Sequence, residues 1–125
     1  MQDFRTKKTY DKYMKKIAEG HLDHGCRLCQ IKPIKKYKYW TIMDNEYPWD
    51  LIAKTNHMIV PKRHVAYEKL NIAEQKEFDL IKKNYLEKKY TLFIEAATRE
   101  KSIPGHFHIH LIILKDRWRK PHNPK

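Results

Sequence analysis

Residues 102–114 read SIPGHFHIHLIIL. Within them His106, His108 and His110 alternate with Phe107, Ile109 and Leu111. Side chains on a β-strand alternate between faces, so a strand here turns the three imidazoles one way and the three apolar residues the other. Neighbouring imidazoles then root about 6.5–7 Å apart, twice the rise per residue. The apolar side belongs over a core. The histidine side reads as plain polarity on an edge strand, as a grip on a metal ion, or as nucleophilic chemistry. In the second reading an HxH pair holds one ion. In the third, a neutral imidazole attacks while a flanking ring orients it. Three of the chain's eight histidines in unbroken alternation argue against the first.

Working outward, TLFIEAA from Thr91 reads as a strand, TREKSIPG as a loop and His106–Leu114 as the last strand. Asn71 begins NIAE, a capping-box signal with Glu74 three residues on. The helix it starts should run to about Lys89 and bury Phe78, Ile81 and Tyr85. Further upstream, HMIV (His57–Val60) is a short strand stopped by Pro61, DNEYPWD a turn, and YKYWTIM (Tyr37–Met43) a strand. Residues 3–19 place Tyr10, Tyr13, Met14 and Ile17 at helical spacing, with lysines on the other face. This predicts an amphipathic helix packed on the domain and ended by HLDHG, with Gly20 and Gly25 as breakers. The order predicts an α+β fold: an antiparallel sheet with one long helix packed on it, plus the N-terminal helix.

A chain of 125 residues, 41% hydrophobic, suits one domain with one core. It divides into an N-terminal helical extension (1–20), the main domain (21–114) and a basic tail (115–125). There is no internal repeat, and no run approaches the ~20 apolar residues of a membrane span. The charged N-terminus lacks the apolar segment of a signal peptide, which predicts a cytoplasmic protein. The formal net charge of +12 favours anionic partners: nucleotides, nucleic acid or acidic lipid heads. Cys26 and Cys29 form a CxxC pair. Without an export signal a structural disulfide is improbable. Half of a zinc site is the better reading, and it needs two further ligands. His21 and His24 are near at hand in HLDHGCRLC.

NHMIVPKRH (Asn56–His64) decides among these readings. Taken with GHFHIHLI it resembles the histidine triad (HIT) superfamily of nucleotide hydrolases and nucleotidyl transferases. That family is named for a His-φ-His-φ-His-φ-φ motif, with φ hydrophobic, which residues 106–112 match throughout. Its upstream GHxLxxPKxH is matched by NHMIVPKRH, with Asn56 in place of the glycine. The resemblance covers roughly Cys26 to Leu114 and implies a HIT-like sheet. It implies that His108 attacks the α-phosphorus of a purine nucleotide, a phosphoramidate or dinucleoside polyphosphate, forming a transient nucleotidyl-histidine. His110 would orient His108 and stabilise its charged form, and His57 would complete the cluster. It further implies a structural zinc ion on Cys26, Cys29, His64 and His106, and a homodimer.

Other readings stay open: a catalytic metal on the HxHxH strand with His57, or a basic zinc module binding nucleic acid, with adenylated or capped nucleic-acid ends as a hybrid substrate. Around the motifs the match loosens. Relatives often have a Gly-Gln-Ser/Thr segment before the triad; here KSIPG offers Ser102, Lys101 or the Gly105 amide to the phosphate. Asn45 precedes His57 by twelve residues, where relatives place a ribose-binding Asn about eight before. Asn45 or Asp50 would bind the ribose, and Ile42, Tyr47 and Trp49 would wall the base. Arg99 in FIEAATREKS reads either as a clasp on a phosphate through two parallel hydrogen bonds or as a solvated loop residue.

Overall fold

The computed structural model describes residues 4–97, 100 and 103–118. Five antiparallel strands form one sheet in the order β1-β2-β3-β5-β4. They are β1 (Pro33–Lys36), β2 (Trp40–Asp44), β3 (Ala53–Pro61), β4 (Leu92–Ile94) and β5 (Ile109–Leu114). Helix α1 (Lys7–Ala18) precedes the sheet. Between β3 and β4 a rod packs on one face: α2 (Ile72–Ile81), a π-helical turn (Lys82–Leu86) and a last short helix, α3 (Glu87–Lys89). None of the described helices is long and apolar enough to cross a membrane.

The predicted capping box forms. Asn71 Oδ1 accepts from the Glu74 amide at 2.8 Å, and the Asn71 amide donates to Glu74 Oε1 at 2.9 Å. The buried Glu74 carboxylate also takes a two-pronged bond from Arg63, at 2.7 and 3.0 Å. Arg63, in the Pro-Lys-Arg-His exit of β3, thereby pins the head of the helix to the sheet. That guanidinium fork holds the Glu74 carboxyl below its ordinary range despite burial. The Trp40 indole N–H donates to the Glu74 carbonyl at 2.8 Å, fixing the same turn over β2.

Strand alternation separates two faces. Trp40, Ile42, Ile59 and Leu111 turn toward the rod and pack with Ile81, Leu86, Tyr90 and Phe107. Phe78 and Tyr85 are only partly buried at the edge of this core, while Ile81 is buried as expected. Met43, Met58 and Val60 turn to the other face and meet Leu28, just beyond Cys26. Trp49, Ala53 and Ile112 extend that second layer.

Several boundaries differ from expectation. The strand expected over Tyr37–Met43 begins at Trp40, because Tyr37 N–H closes a turn on the Trp40 carbonyl at 2.8 Å. β3 is longer than HMIV, since it pairs with β2 on one side and β5 on the other. β5 starts at Ile109, so His106 and His108 precede its ladder. In α1, Tyr13 is buried but Met14 is 39% exposed. Of the tail, only a single turn, Asp116–Trp118, lies within an assigned element; residues 119–125 lie outside the described ones.

Candidate active site and metal cluster

The stretch ahead of β5 is steered by two backbone bonds. Phe107 N–H donates to the Val65 carbonyl at 2.7 Å, and the His106 ring donates from Nε2 to the Pro61 carbonyl at 2.8 Å. A carbonyl can only accept, so the His106 proton sits on Nε2 and its lone pair on Nδ1. That Nδ1 lies 3.5 Å from Cys26 Sγ and 3.4 Å from Cys29 Sγ. His64 brings its own Nδ1 to 3.4 Å from Cys29 Sγ. Ligand atoms of Cys26, Cys29, His64 and His106 all lie within 4.8 Å of one another, the only such group of three or more His, Cys, Asp or Glu among the described residues. Burial lowers the His106 pKa, keeping the imidazole neutral, as a metal ligand must be. Desolvation and the adjacent Cys26 push the Cys29 thiol up to about 11, so a cation in the cluster would be needed to hold it as a thiolate. The local pair His21 and His24 stays out: His21 faces Glu46 and Tyr47 instead.

His108 has the opposite tautomer. Its Nδ1 donates to the His106 carbonyl at 2.9 Å, which places the lone pair on Nε2. His110 stands beside it, ring centroids 5.5 Å apart and nearly perpendicular. Trp49 lies flat on His110, centroids 3.8 Å apart at 20°. Asn56 sets the His110 proton. Its Oδ1 accepts from the Trp49 amide at 2.8 Å and from Asn45 Nδ2 at 3.0 Å, so the other end is the NH₂. That NH₂ lies 3.3 Å from His110 Nδ1 and 3.0 Å from the His57 carbonyl. His110 Nδ1 therefore accepts, and its proton is on Nε2.

His57 does not join this cluster. In β3 it stands opposite Leu111, on the face covered by the rod, and its Nδ1 lies 2.7 Å from the Tyr90 hydroxyl. Asn56, one residue earlier, is the β3 side chain that meets His110. The spacing held the signal: GHxLxxPKxH puts five steps between its histidine and proline, whereas His57 precedes Pro61 by four. Counted back from Pro61, Asn56 occupies the motif's histidine position.

Of the expected nucleotide contacts, Asn45 lines the cleft beside His108 and His110, with its side chain bonded to Asn56. Asp50 is not among the cleft residues; its carboxylate caps α1, accepting from Thr6 N–H at 2.8 Å and from the Thr9 hydroxyl at 2.5 Å. Ile42 faces the rod and is buried in the core, whereas Tyr47 and Trp49 line the cleft. Gly105 sits beside the metal cluster: a Cβ there would lie 3.5 Å from His64 Nε2. Arg99, Lys101 and Ser102 lie outside the described residues.

The cleft holds roughly 660 Å³ counted to its open mouth. Leu28, Ile31 and Met58 give it an apolar side, and the N-terminal extension contributes Arg5, Tyr13 and His21. At the mouth Arg27 grips Glu46 with two bonds of 2.7 Å, which holds the Glu46 carboxyl below its ordinary range. Sequence reading left the extension outside the site, because no local pattern shows what a helix docks on.

No protein-family model matches the chain, and no curated protein matches its sequence. Solved structures do. A HIT family hydrolase from Clostridium thermocellum superposes with a TM-score of 0.53 at 16% identity, covering 78% of this chain and 96% of its own. A histidine triad protein from Clostridium difficile aligns over 90% of this chain and 95% of its own, at 18% identity and a TM-score of 0.48. At this identity the first likeness speaks to architecture alone, in keeping with the sheet and rod described above. The chain has the fold of the histidine triad proteins.

Proposed function

We propose that this protein is a nucleotide hydrolase or nucleotidyl transferase that works at the α-phosphate of a nucleoside phosphoramidate or dinucleoside polyphosphate. The observation that carries the reading is the His108 Nδ1–H bond to the His106 carbonyl, on a ring that lines the cleft. It supports the reading by leaving the Nε2 lone pair as the atom available for attack, with no tautomer change needed first. Nε2 bonds to the α-phosphorus as the bond to the leaving atom breaks, and the electron pair departs with the leaving group. His110, with its proton on Nε2, is the adjacent donor that hydrogen-bonds the departing atom, while the leaving group takes its proton from water. Water, or another acceptor, then displaces the nucleotide from His108 and regenerates it.

The four-residue cluster fits zinc, with Cys₂His₂ as its donor set. Four protein ligands close a tetrahedron, so the ion would be structural, tying the Cys26–Cys29 turn to the β3 exit and to the approach to β5. A catalytic metal on the triad is less well supported: His106 points into the cysteine cluster and His57 lies on the other face. Nucleic-acid ends remain within the substrate class on account of the net charge of +12. The homodimer implied by the resemblance is checked by light scattering.

The test is AMP release from adenosine 5′-phosphoramidate by the wild type and by His108→Ala. The expected result is turnover in the wild type and a loss of more than about 10³-fold in the variant. Full activity in His108→Ala would overturn the reading.

A further inference from the structure

His110 stands between two rings. His108 meets it at a steep angle, and Trp49 lies flat against it, centroids 3.8 Å apart at 20°. The Asn56 amide reaches His110 Nδ1 at 3.3 Å, long for a hydrogen bond, so it sets the proton but fixes the plane of the ring only loosely. The indole face supplies the plane. Its negative quadrupole also favours positive charge on the imidazole, which grows as Nε2–H donates to a departing anion.

Trp49 is held in turn. Its amide donates to Asn56 Oδ1 at 2.8 Å, and its carbonyl accepts from the Ala53 amide at 2.9 Å. Asn56 thus ties both members of the stack. The indole packs with Ala53 and Ile112, and against it lies Phe4 of the N-terminal extension, centroids 5.4 Å apart at 59°. Phe4 is 44% exposed, too open to be a core residue. Yet the segment carrying it is fastened to the Trp49 loop. Leu51 N–H donates to the Phe4 carbonyl at 2.8 Å, and Asp50 accepts from Thr6 N–H at 2.8 Å and from the Thr9 hydroxyl at 2.5 Å.

We propose that Trp49 is a positioning residue for His110, and that the N-terminal extension, through Phe4, keeps it on that ring. The extension is then a working part of the active site and not an appendage to the domain. The inference rests on the α-phosphate chemistry proposed above. In that scheme Trp49 acts through His110, by holding its Nε2–H toward the departing atom. A residue with this role changes the rate of the bound complex and leaves substrate affinity near its wild-type value. A wall for the nucleobase does the opposite.

Steady-state kinetics of the full chain on adenosine 5′-phosphoramidate separate the two. Trp49→Leu should lower kcat by about 10–100-fold with KM within about threefold, and Trp49→Phe, which keeps an aromatic face, should fall between it and wild type. A raised KM with kcat intact would make Trp49 a wall for the base and overturn the proposal. Phe4→Ala should lower kcat by about 3–10-fold in the wild-type background and by less than about twofold in Trp49→Leu. Equal effects in both backgrounds would show that Phe4 does not act through Trp49, and would overturn it as well. A second measurement needs no turnover. Protons above an indole face resonate upfield, so the His110 ring protons, assigned by their loss in His110→Gln, should lie upfield of those of a histidine in an unfolded chain in proton–carbon correlation NMR. In Phe4→Ala, whose exposed position spares the fold, they should move back downfield. An ordinary position in the wild type would overturn the proposal even if Trp49→Leu misfolds, and so would an unmoved resonance in Phe4→Ala. A wild type that releases no AMP would defeat the hydrolase reading instead, and the NMR shifts would then decide on their own whether the extension places His110 through Trp49.

Discussion

His106 and His108 are two residues apart on one short stretch, and both are buried. Their chemistry diverges because each meets a different partner. The Pro61 carbonyl catches Nε2 of His106 and leaves Nδ1 to the cysteine cluster. The His106 carbonyl catches Nδ1 of His108 and leaves Nε2 as the basic atom. Two backbone oxygens thus give two identical side chains opposite tautomers, one suited to the proposed metal cluster and the other to the proposed attack. The second oxygen belongs to His106 itself, so the residue whose ring joins the cysteine cluster also sets the tautomer of its neighbour.

The strongest way to break this division is to remove each ring in turn. His108→Ala should abolish AMP release yet keep one zinc per chain and an unchanged Tm. His106→Ala should do the reverse at first order: zinc content falls to near zero and Tm drops by about 10 °C or more. Elemental analysis and thermal unfolding on the same samples decide it. Zinc loss in His108→Ala would mean that the two halves are one site. Chelation sharpens the contrast without mutation. Stripping the wild type should lower Tm by a similar amount, and zinc should restore it.

A second contrast lies within β3. Asn56 faces His110 and His57 faces Tyr90. Asn56→Ala removes the donor that keeps the His110 proton on Nε2, so kcat should fall by about 10–100-fold. His57→Phe should leave kcat unchanged. The reverse ranking would restore His57 to the reacting cluster and refute the register argument.

That pair also shows what could be read from the sequence and what could not. Alternation across residues 106–112 was legible, and it held even though His106 and His108 precede the ladder, because the Phe107 amide bond to the Val65 carbonyl ties that stretch to the exit of β3. The Asn71 cap and the helix were legible because both signals are local. The cysteine cluster followed from motif matching. In NHMIV, however, both faces are buried, so no polar residue marks the outer side, and a slip of one residue exchanges His57 for Asn56. Asp50 and Arg5 were misplaced or missed for a different reason. Each is defined by a partner more than forty positions away, Thr6 or Thr9 for one and Tyr47 for the other.

The smallest expected effect is on pH dependence, and it isolates His57. Burial holds its imidazole below the ordinary 6.5, with Lys89 acting in the same direction and Asp44 opposing. In the unfolded chain the ring titrates near that ordinary value. Between the two pKa values the unfolded state therefore binds more protons, and stability falls as pH drops through about 6.5 before levelling off below the folded value. His57→Phe removes this slope and the bond to the Tyr90 hydroxyl, a loss of about 0.5–1.5 kcal/mol above pH 7. His106 shifts in the same direction but is common to both proteins, so it cancels in the difference. Glu74 acts only as pH falls below the ordinary carboxyl range near 4.5, outside this window. Denaturant unfolding of wild type and variant from pH 5 to 8 should therefore give curves that converge as the pH falls. Parallel curves would place His57 in water, facing neither the rod nor Tyr90.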